Sequence, residues 1–282
     1  MRMTREEFFA WPTRRLTFYG MSGVGKTRLA NMLRGDDWFH YSVDYRIGTR
    51  YLGEAILDNI KRKAMQVDFL RELLLSDSIY ISNNLSVDNL TPLSTFLGMV
   101  GNPEKGGLTL AEFKHRQALH YDAEVQAMRD VPAFIDKAAD IYGYEHFLND
   151  ASGSLCEIDD EAVFEAIARD TLMIYIEASD EDEQFLIERA AANPKPLYYR
   201  EPFLDEHLAR YMHEQGHEYV VEVDPEEYVR WVFPHLFRSR VPRFQAITEK
   251  YGYAVKARDA YATRSVDDVM QLIGDALERG EQ

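Results

Sequence analysis

Gly20-Met21-Ser22-Gly23-Val24-Gly25-Lys26-Thr27 satisfies the pattern G-x-x-x-x-G-K-[ST] in full. The pattern carries meaning only between a strand and a helix, and both flanks read that way. Leu16-Thr17-Phe18-Tyr19 is a short β-prone apolar run, and Arg28-Leu29-Ala30-Asn31-Met32-Leu33 reads as the first turns of a helix. Glycines let main-chain N–H groups turn inward around a phosphate chain without side-chain clash, and a helix start beyond them adds partial positive charge. Gly20, Ser22, Gly23, Val24, Gly25, Lys26, Thr27 and Arg28 are therefore the candidate nucleotide-binding residues. Lys26 has the reach for the β- and γ-phosphates, and the Thr27 hydroxyl suits Mg²⁺. The expected bound groups are ATP and Mg²⁺; no Asn/Thr-Lys-x-Asp guanine signature is visible.

Working outward, Trp38 to Asp44 reads as a buried strand ending in a carboxylate, and Gly48 to Ala64 as a helix with Leu52, Ala55, Ile56 and Ile60 on one face. Residues 66–143 alternate helical segments with polar breaks and read as a helical insertion. Within it, Thr109 with Glu112 three residues on opens a long helix at a capping-box spacing. Strand signals return at His146 to Asp150 and at Thr171 to Glu177, whose near-continuous apolarity suits a parallel sheet covered on both faces. A helix over Asp180 to Ala192, a charged and aromatic stretch at 194–243 read as lid-like, a strand near Tyr253 to Ala257 and a capped helix from Ser265 complete the chain. Strands alternating with helices predict one α/β domain over 1–282, a three-layer sandwich around a mainly parallel sheet.

Several side chains at the ends of these strands suit phosphoryl chemistry. Asp150, followed by Gly153, is placed to hold Mg²⁺ or orient a nucleophile. Asp44 stands where open α/β sheets bind ligands and suits an acceptor hydroxyl; Arg46 suits a substrate anion. Arg238, Arg240 and Arg243 crowd together in an otherwise acidic chain and suit phosphate or carboxylate. His207, His213 and His217 lack the further ligands a zinc site requires. Tyr219, Tyr228, Trp231, Phe233 and Phe237 read as core or lid packing.

The totals narrow the class. Acidic residues outnumber basic ones by 48 to 32, which argues against general nucleic-acid binding. One cysteine, Cys156, permits no internal disulfide and fits a reducing compartment. No stretch approaches the roughly 20 apolar residues of a membrane span, and the charged N-terminus, broken by Pro12, lacks the apolar centre of a signal peptide. The expectation is a cytoplasmic protein whose partners are a nucleoside triphosphate and a small-molecule acceptor, with no nucleic acid and no membrane.

The order of these elements resembles the small-molecule kinases of the phosphate-loop superfamily, with shikimate kinase and the nucleotide-kinase group as the nearest patterns. The likeness is carried by Gly20 to Thr27, by Asp44 before Arg46-Ile47-Gly48, by Ile174-Tyr175-Ile176 with its helix and then Lys195-Pro196-Leu197, and by Arg240-Val241-Pro242-Arg243-Phe244. It implies catalytic roles for Lys26, Asp44 and Arg240, with Asp44, Arg46, Gly153 and Arg240 on the substrate and Thr27 and Asp150 on the metal. It also implies that residues 257–262 lie near the adenine. The family's Asp-x-Asp is Ser42-x-Asp44 here, and its glycine triplet is reduced to Ala151-Ser152-Gly153-Ser154. The implied function is ATP-dependent phosphorylation of a small hydroxyl-bearing metabolite or nucleotide. The alternative is a nucleotide-hydrolysing switch whose helical insertion binds a protein partner.

Overall fold

The computed structural model describes residues 1–35 and 37–280. In chain order, α1 (Arg5–Ala10) and β1 (Arg15–Tyr19) lead through the glycine loop into α2 (Lys26–Leu33). β2 (Trp38–Ser42) passes directly into α3 (Val43–Arg46), a π-helical turn at Ile47–Tyr51 and α4 (Gly53–Ala64). Next come α5 (Asp68–Leu75), α6 (Thr91–Leu97), α7 (Leu110–Arg129), α8 (Val131–Asp140), β3 (His146–Asp150), α9 (Glu161–Asp170), β4 (Leu172–Glu177) and α10 (Asp180–Ala192). The chain closes with α11 (Glu201–Gln215), α12 (Pro225–Tyr251), β5 (Gly252–Lys256), α13 (Ala257–Ala262) and α14 (Val266–Gly280). Two compact units form: Met1–Val43 with Glu124–Pro194 and Tyr228–Gln282, and Asp44–Ala123 with Lys195–Glu227. The stretch 66–143 is helical, and its residues fall in both units.

The first unit is built on a five-stranded parallel sheet in the order β2-β3-β1-β4-β5. β1 leads through α2 toward one edge and β3 leads through α9 toward the other. Right-handed crossovers in opposite directions place those helices on opposite faces. Accordingly α2 packs with α14, and α14 with α1, while α8 packs with α9. Being covered on both faces is why successive residues, whose side chains point to opposite faces, are all fully buried: Leu16, Thr17 and Phe18 in β1, and Leu172, Met173 and Ile174 in β4. Phe244 from α12 stacks on Tyr175, with ring centroids 5.4 Å apart, and Tyr175 on Tyr19 at 5.5 Å. The register sets Phe18 and Ser42 on either side of Asp150. Asp150 thus stands at the carboxyl edge of the sheet, beside the loop that leaves β1, where ligands of such sheets bind.

Two expected boundaries move. β2 stops at Ser42, so Asp44 belongs to the first helical turn after the strand and not to the strand's end. The helix expected from Gly48 begins as a π-helical turn, closed by Leu52 N–H on the Ile47 carbonyl at 2.8 Å, and α4 proper starts at Gly53. Gly48 and Thr49 are poor helix formers, so neighbouring structure decides the backbone there.

The second unit is helical. α4 packs on α6 and on the π-helical turn. Arg116 of α7 is buried and donates to Glu112 Oε1 (2.7 Å) and Asn59 Oδ1 (2.9 Å). Gln117, also buried, accepts from Tyr199 N–H at 2.7 Å and donates to the Leu197 carbonyl at 3.3 Å. One amide side chain thereby satisfies two main-chain groups ahead of α11.

Candidate nucleotide-binding site

The loop between β1 and α2 closes as the sequence pattern requires. Gly20 has φ +141°, and a Cβ there would stand 2.7 Å from the Ile176 carbonyl oxygen. Gly23 has φ +93°, and a Cβ would meet Leu186 Cδ2 at 2.8 Å and Arg189 Nη1 at 3.2 Å. Gly20 excludes a larger residue on backbone and on space; at Gly23 the positive φ does so, since the neighbouring atoms are side-chain ends that can shift. Val24 contributes main chain only, since its side chain is buried. Lys26 opens α2; its ammonium donates to the carbonyls of Gly20 and Met21 at 2.9 Å each, so the charge sits inside the curve of the loop.

Thr27 and Asp150 meet at the next turn. Thr27 Oγ1 donates to Asp150 Oδ2 at 2.9 Å. The other carboxylate oxygen, Oδ1, is buried with no hydrogen-bond partner among the described residues. His40 of β2 approaches the same Oδ2 at 3.6 Å with a side chain only 4 % exposed, and neither ring nitrogen has a hydrogen-bond partner among the described residues. A hydroxyl and a carboxylate 2.9 Å apart, at a helix N-terminus beside an ammonium, are hard oxygen donors of the kind Mg²⁺ takes together with substrate phosphates. The chain's own residues therefore fit Mg²⁺ with a nucleoside polyphosphate. Among the described residues no group of three or more His, Cys, Asp or Glu side chains is placed to hold a metal.

The remaining predicted residues fall in three places. Gly153 lies against the loop: a Cβ on it would stand 3.0 Å from Ser22 N. Arg28 turns away from the loop's interior and donates to the carbonyls of Ala260 (2.9 Å) and Thr263 (2.7 Å), tying the end of α13 to α2. Arg240 is buried on α12; it donates through Nε to Glu157 Oε1 at 2.7 Å and through Nη1 to the Gly153 carbonyl at 3.2 Å. Burial opposes its charge, yet Glu157, together with Cys156 and Glu124, more than offsets this and holds the guanidinium's pKa above its ordinary value. Arg243 reaches the other oxygen of Glu157 at 3.7 Å, and Arg238 pairs with Glu183 at 2.8 Å. Asp44 and Arg46 lie on α3 in the second unit, where the Arg46 guanidinium stands over the Tyr51 ring.

Four participants were not singled out by sequence. Tyr261 of α13 packs its ring 3.5 Å from where a Gly25 Cβ would be and donates its hydroxyl to the Gly23 carbonyl at 2.6 Å. Arg189 stands over Gly23, and His40 backs Asp150. Glu124 on α7 is fully buried beneath residues 152–154. Only Tyr261 carried a local signal, since it falls in the stretch expected near the adenine. The others depend on strand register and helix docking, which no spacing rule reports.

No protein-family model matches the chain, and no curated protein matches it. Among solved structures it is similar to shikimate kinase from Bacteroides thetaiotaomicron at 14% identity, over 95% of this chain and 96% of that one, with a TM-score of 0.40. The functional reading therefore stands on the residues of the site. No helix among the described residues is long and apolar enough to cross a membrane.

Proposed function

We propose that the chain is an ATP-dependent phosphotransferase acting on a small hydroxyl-bearing metabolite or nucleotide. The observation that carries this reading is the Thr27–Asp150 hydrogen bond at 2.9 Å beside Lys26 in its glycine loop. Three kinds of group needed for a metal-bound polyphosphate meet there: a glycine-rich loop, an ammonium, and a hydroxyl–carboxylate pair. Mg²⁺, when bound, supplies charge neutralisation across the phosphates. Lys26 and the amides of 20–27 hold the phosphate oxygens, Thr27 and Asp150 hold the cation, and Tyr261 bounds the site on the α13 side. The acceptor roles of Asp44 and Arg46 rest on the sequence pattern alone. Catalysis in such a site comes from positioning and electrostatics rather than covalent chemistry.

Lys26→Ala tests it. The Lys26 ammonium donates to two carbonyls of its own loop, so the substitution strikes the charge beside the phosphates and not the sheet. The expected result is an unchanged circular dichroism spectrum with ADP affinity and γ-phosphate transfer to a metabolite pool lost by about 10²-fold or more. Normal transfer by the variant sinks the assignment. Release of labelled phosphate only as inorganic phosphate, by the parent protein, favours the hydrolysing switch instead.

A further inference from the structure

The loop that follows β3 is held from beneath by buried ionisable side chains. Glu124 is fully buried and accepts hydrogen bonds from both Ser152 and Ser154; the Ser154 hydroxyl lies 2.9 Å from each carboxylate oxygen. Between the serines, the Gly153 carbonyl accepts from Arg240, and Gly153 abuts Ser22 of the phosphate loop. Arg240 is in turn fixed by Glu157, itself only 3 % exposed. Three consecutive residues are thus gripped by two buried side chains, one acidic and one basic. Asp150, two residues earlier on the same segment, carries the carboxylate that meets Thr27.

Such an arrangement is costly as a mere filler of space. A buried carboxylate loses its hydration, and an apolar side chain at 124 facing alanines would occupy the volume without that penalty. What the polar set adds is direction: hydrogen bonds fix where each loop atom sits, whereas apolar contact leaves it free to slide. We propose that Glu124 and Arg240 are positioning residues that pin Ser152-Gly153-Ser154 against Ser22 and thereby set where Asp150 and Thr27 present their oxygens to the nucleotide's divalent cation. This rests on reading residues 20–27 as a nucleotide site. The loop amides and Lys26 are built on β1 and α2 and do not pass through 152–154. The clamp reaches the phosphate loop only where Gly153 abuts Ser22, so its larger effect falls on the cation and its smaller one on metal-free nucleotide binding.

The test is calorimetric titration of ADP into the full-length protein in Mg²⁺ and in EDTA, with the ratio of the two Kd values taken as the metal-dependent gain. The variant Glu124→Leu/Ser152→Ala/Ser154→Ala removes the carboxylate together with both hydroxyls that donate to it and puts apolar groups in their place, which costs less than removing one partner alone. It is expected to keep its EDTA affinity within about threefold and to lose about tenfold or more of the metal-dependent gain, as is usual when an outer partner of a metal ligand is removed. Glu124→Gln, whose amide offers one acceptor and one donor to the serines, is expected to keep most of the gain. Should the triple variant fail to fold, Ser154→Ala reads the same ratio with one contact removed, and a loss of about threefold is expected. An unchanged ratio in the variant that is read overturns the proposal. So does equal weakening in both arms, which marks a merely structural role, and so does a parent with no metal-dependent gain. ADP binding by the parent in neither arm overturns the nucleotide reading and this proposal with it; binding by the parent with the gain preserved in the variant overturns this proposal alone.

Discussion

Removing the Arg240 guanidinium while leaving Glu157 in place is the most demanding perturbation this fold offers. The two side chains are 5 % and 4 % exposed, and their closest atoms are 2.7 Å apart. Arg240→Met keeps the aliphatic bulk but strands a buried carboxylate, which costs about 3–5 kcal/mol. The hydrogen bond to the Gly153 carbonyl goes as well, adding about 1 kcal/mol. Arg243 does not rescue the site: it lies 3.7 Å from Glu157 and is 41 % exposed, so its pairing is worth at most about 1 kcal/mol. At about 2–4 °C per kcal/mol for a protein of this size class, Tm falls by roughly 8–24 °C. Removing both partners, in Arg240→Met/Glu157→Leu, deletes the unpaired charge and should return stability to within about 1–2 kcal/mol of the parent. Urea titration of parent, both single variants and the double variant gives the coupling directly. A single variant that loses less than about 1 kcal/mol, or a double variant as unstable as the sum of the singles, refutes the view that this pair is closed and buried.

Two further outcomes follow from the same geometry. Gly20→Ala drives a Cβ to 2.7 Å from the Ile176 carbonyl at a φ of +141°, so strain of about 1–3 kcal/mol is expected together with loss of ADP binding by calorimetry; full binding refutes the loop geometry. Burial raises the Glu124 carboxyl above its ordinary 4.5, so across that interval the folded chain keeps a proton that the unfolded chain releases. Stability therefore falls as pH rises from about 4.5 to the raised value and levels beyond it. Glu124→Gln removes that limb, and urea midpoints that vary with pH identically in variant and parent refute the burial argument.

Much of the scaffold was legible because it is written in local chemistry. The helix α10 begins and ends where the sequence placed it, at Asp180 and Ala192: Ser179 and Asp182 cap its start reciprocally, and Asn193-Pro194 follows its end. β4 announced itself by unbroken apolarity, the consequence of burial on both faces. Boundaries failed where tertiary packing overrides propensity, as at Ser42, where β2 gives way at once to helix, and at Gly48, where a π-helical turn intervenes.

The segment Gly20 to Thr27 determined by itself that a strand, an anion cradle and a helix follow one another, because the glycine positions and the lysine permit little else. Only the tertiary structure decided what surrounds that cradle. The register of β3 between β2 and β1 brings Asp150 to Thr27 and His40 to Asp150 across more than 100 residues of chain. The docking of α12 buries Arg240 on Glu157 and the Gly153 carbonyl, and that of α7 places Glu124 under Ser152 and Ser154. A guanidinium's partners are set by what packs against it, and no spacing along the chain encodes that.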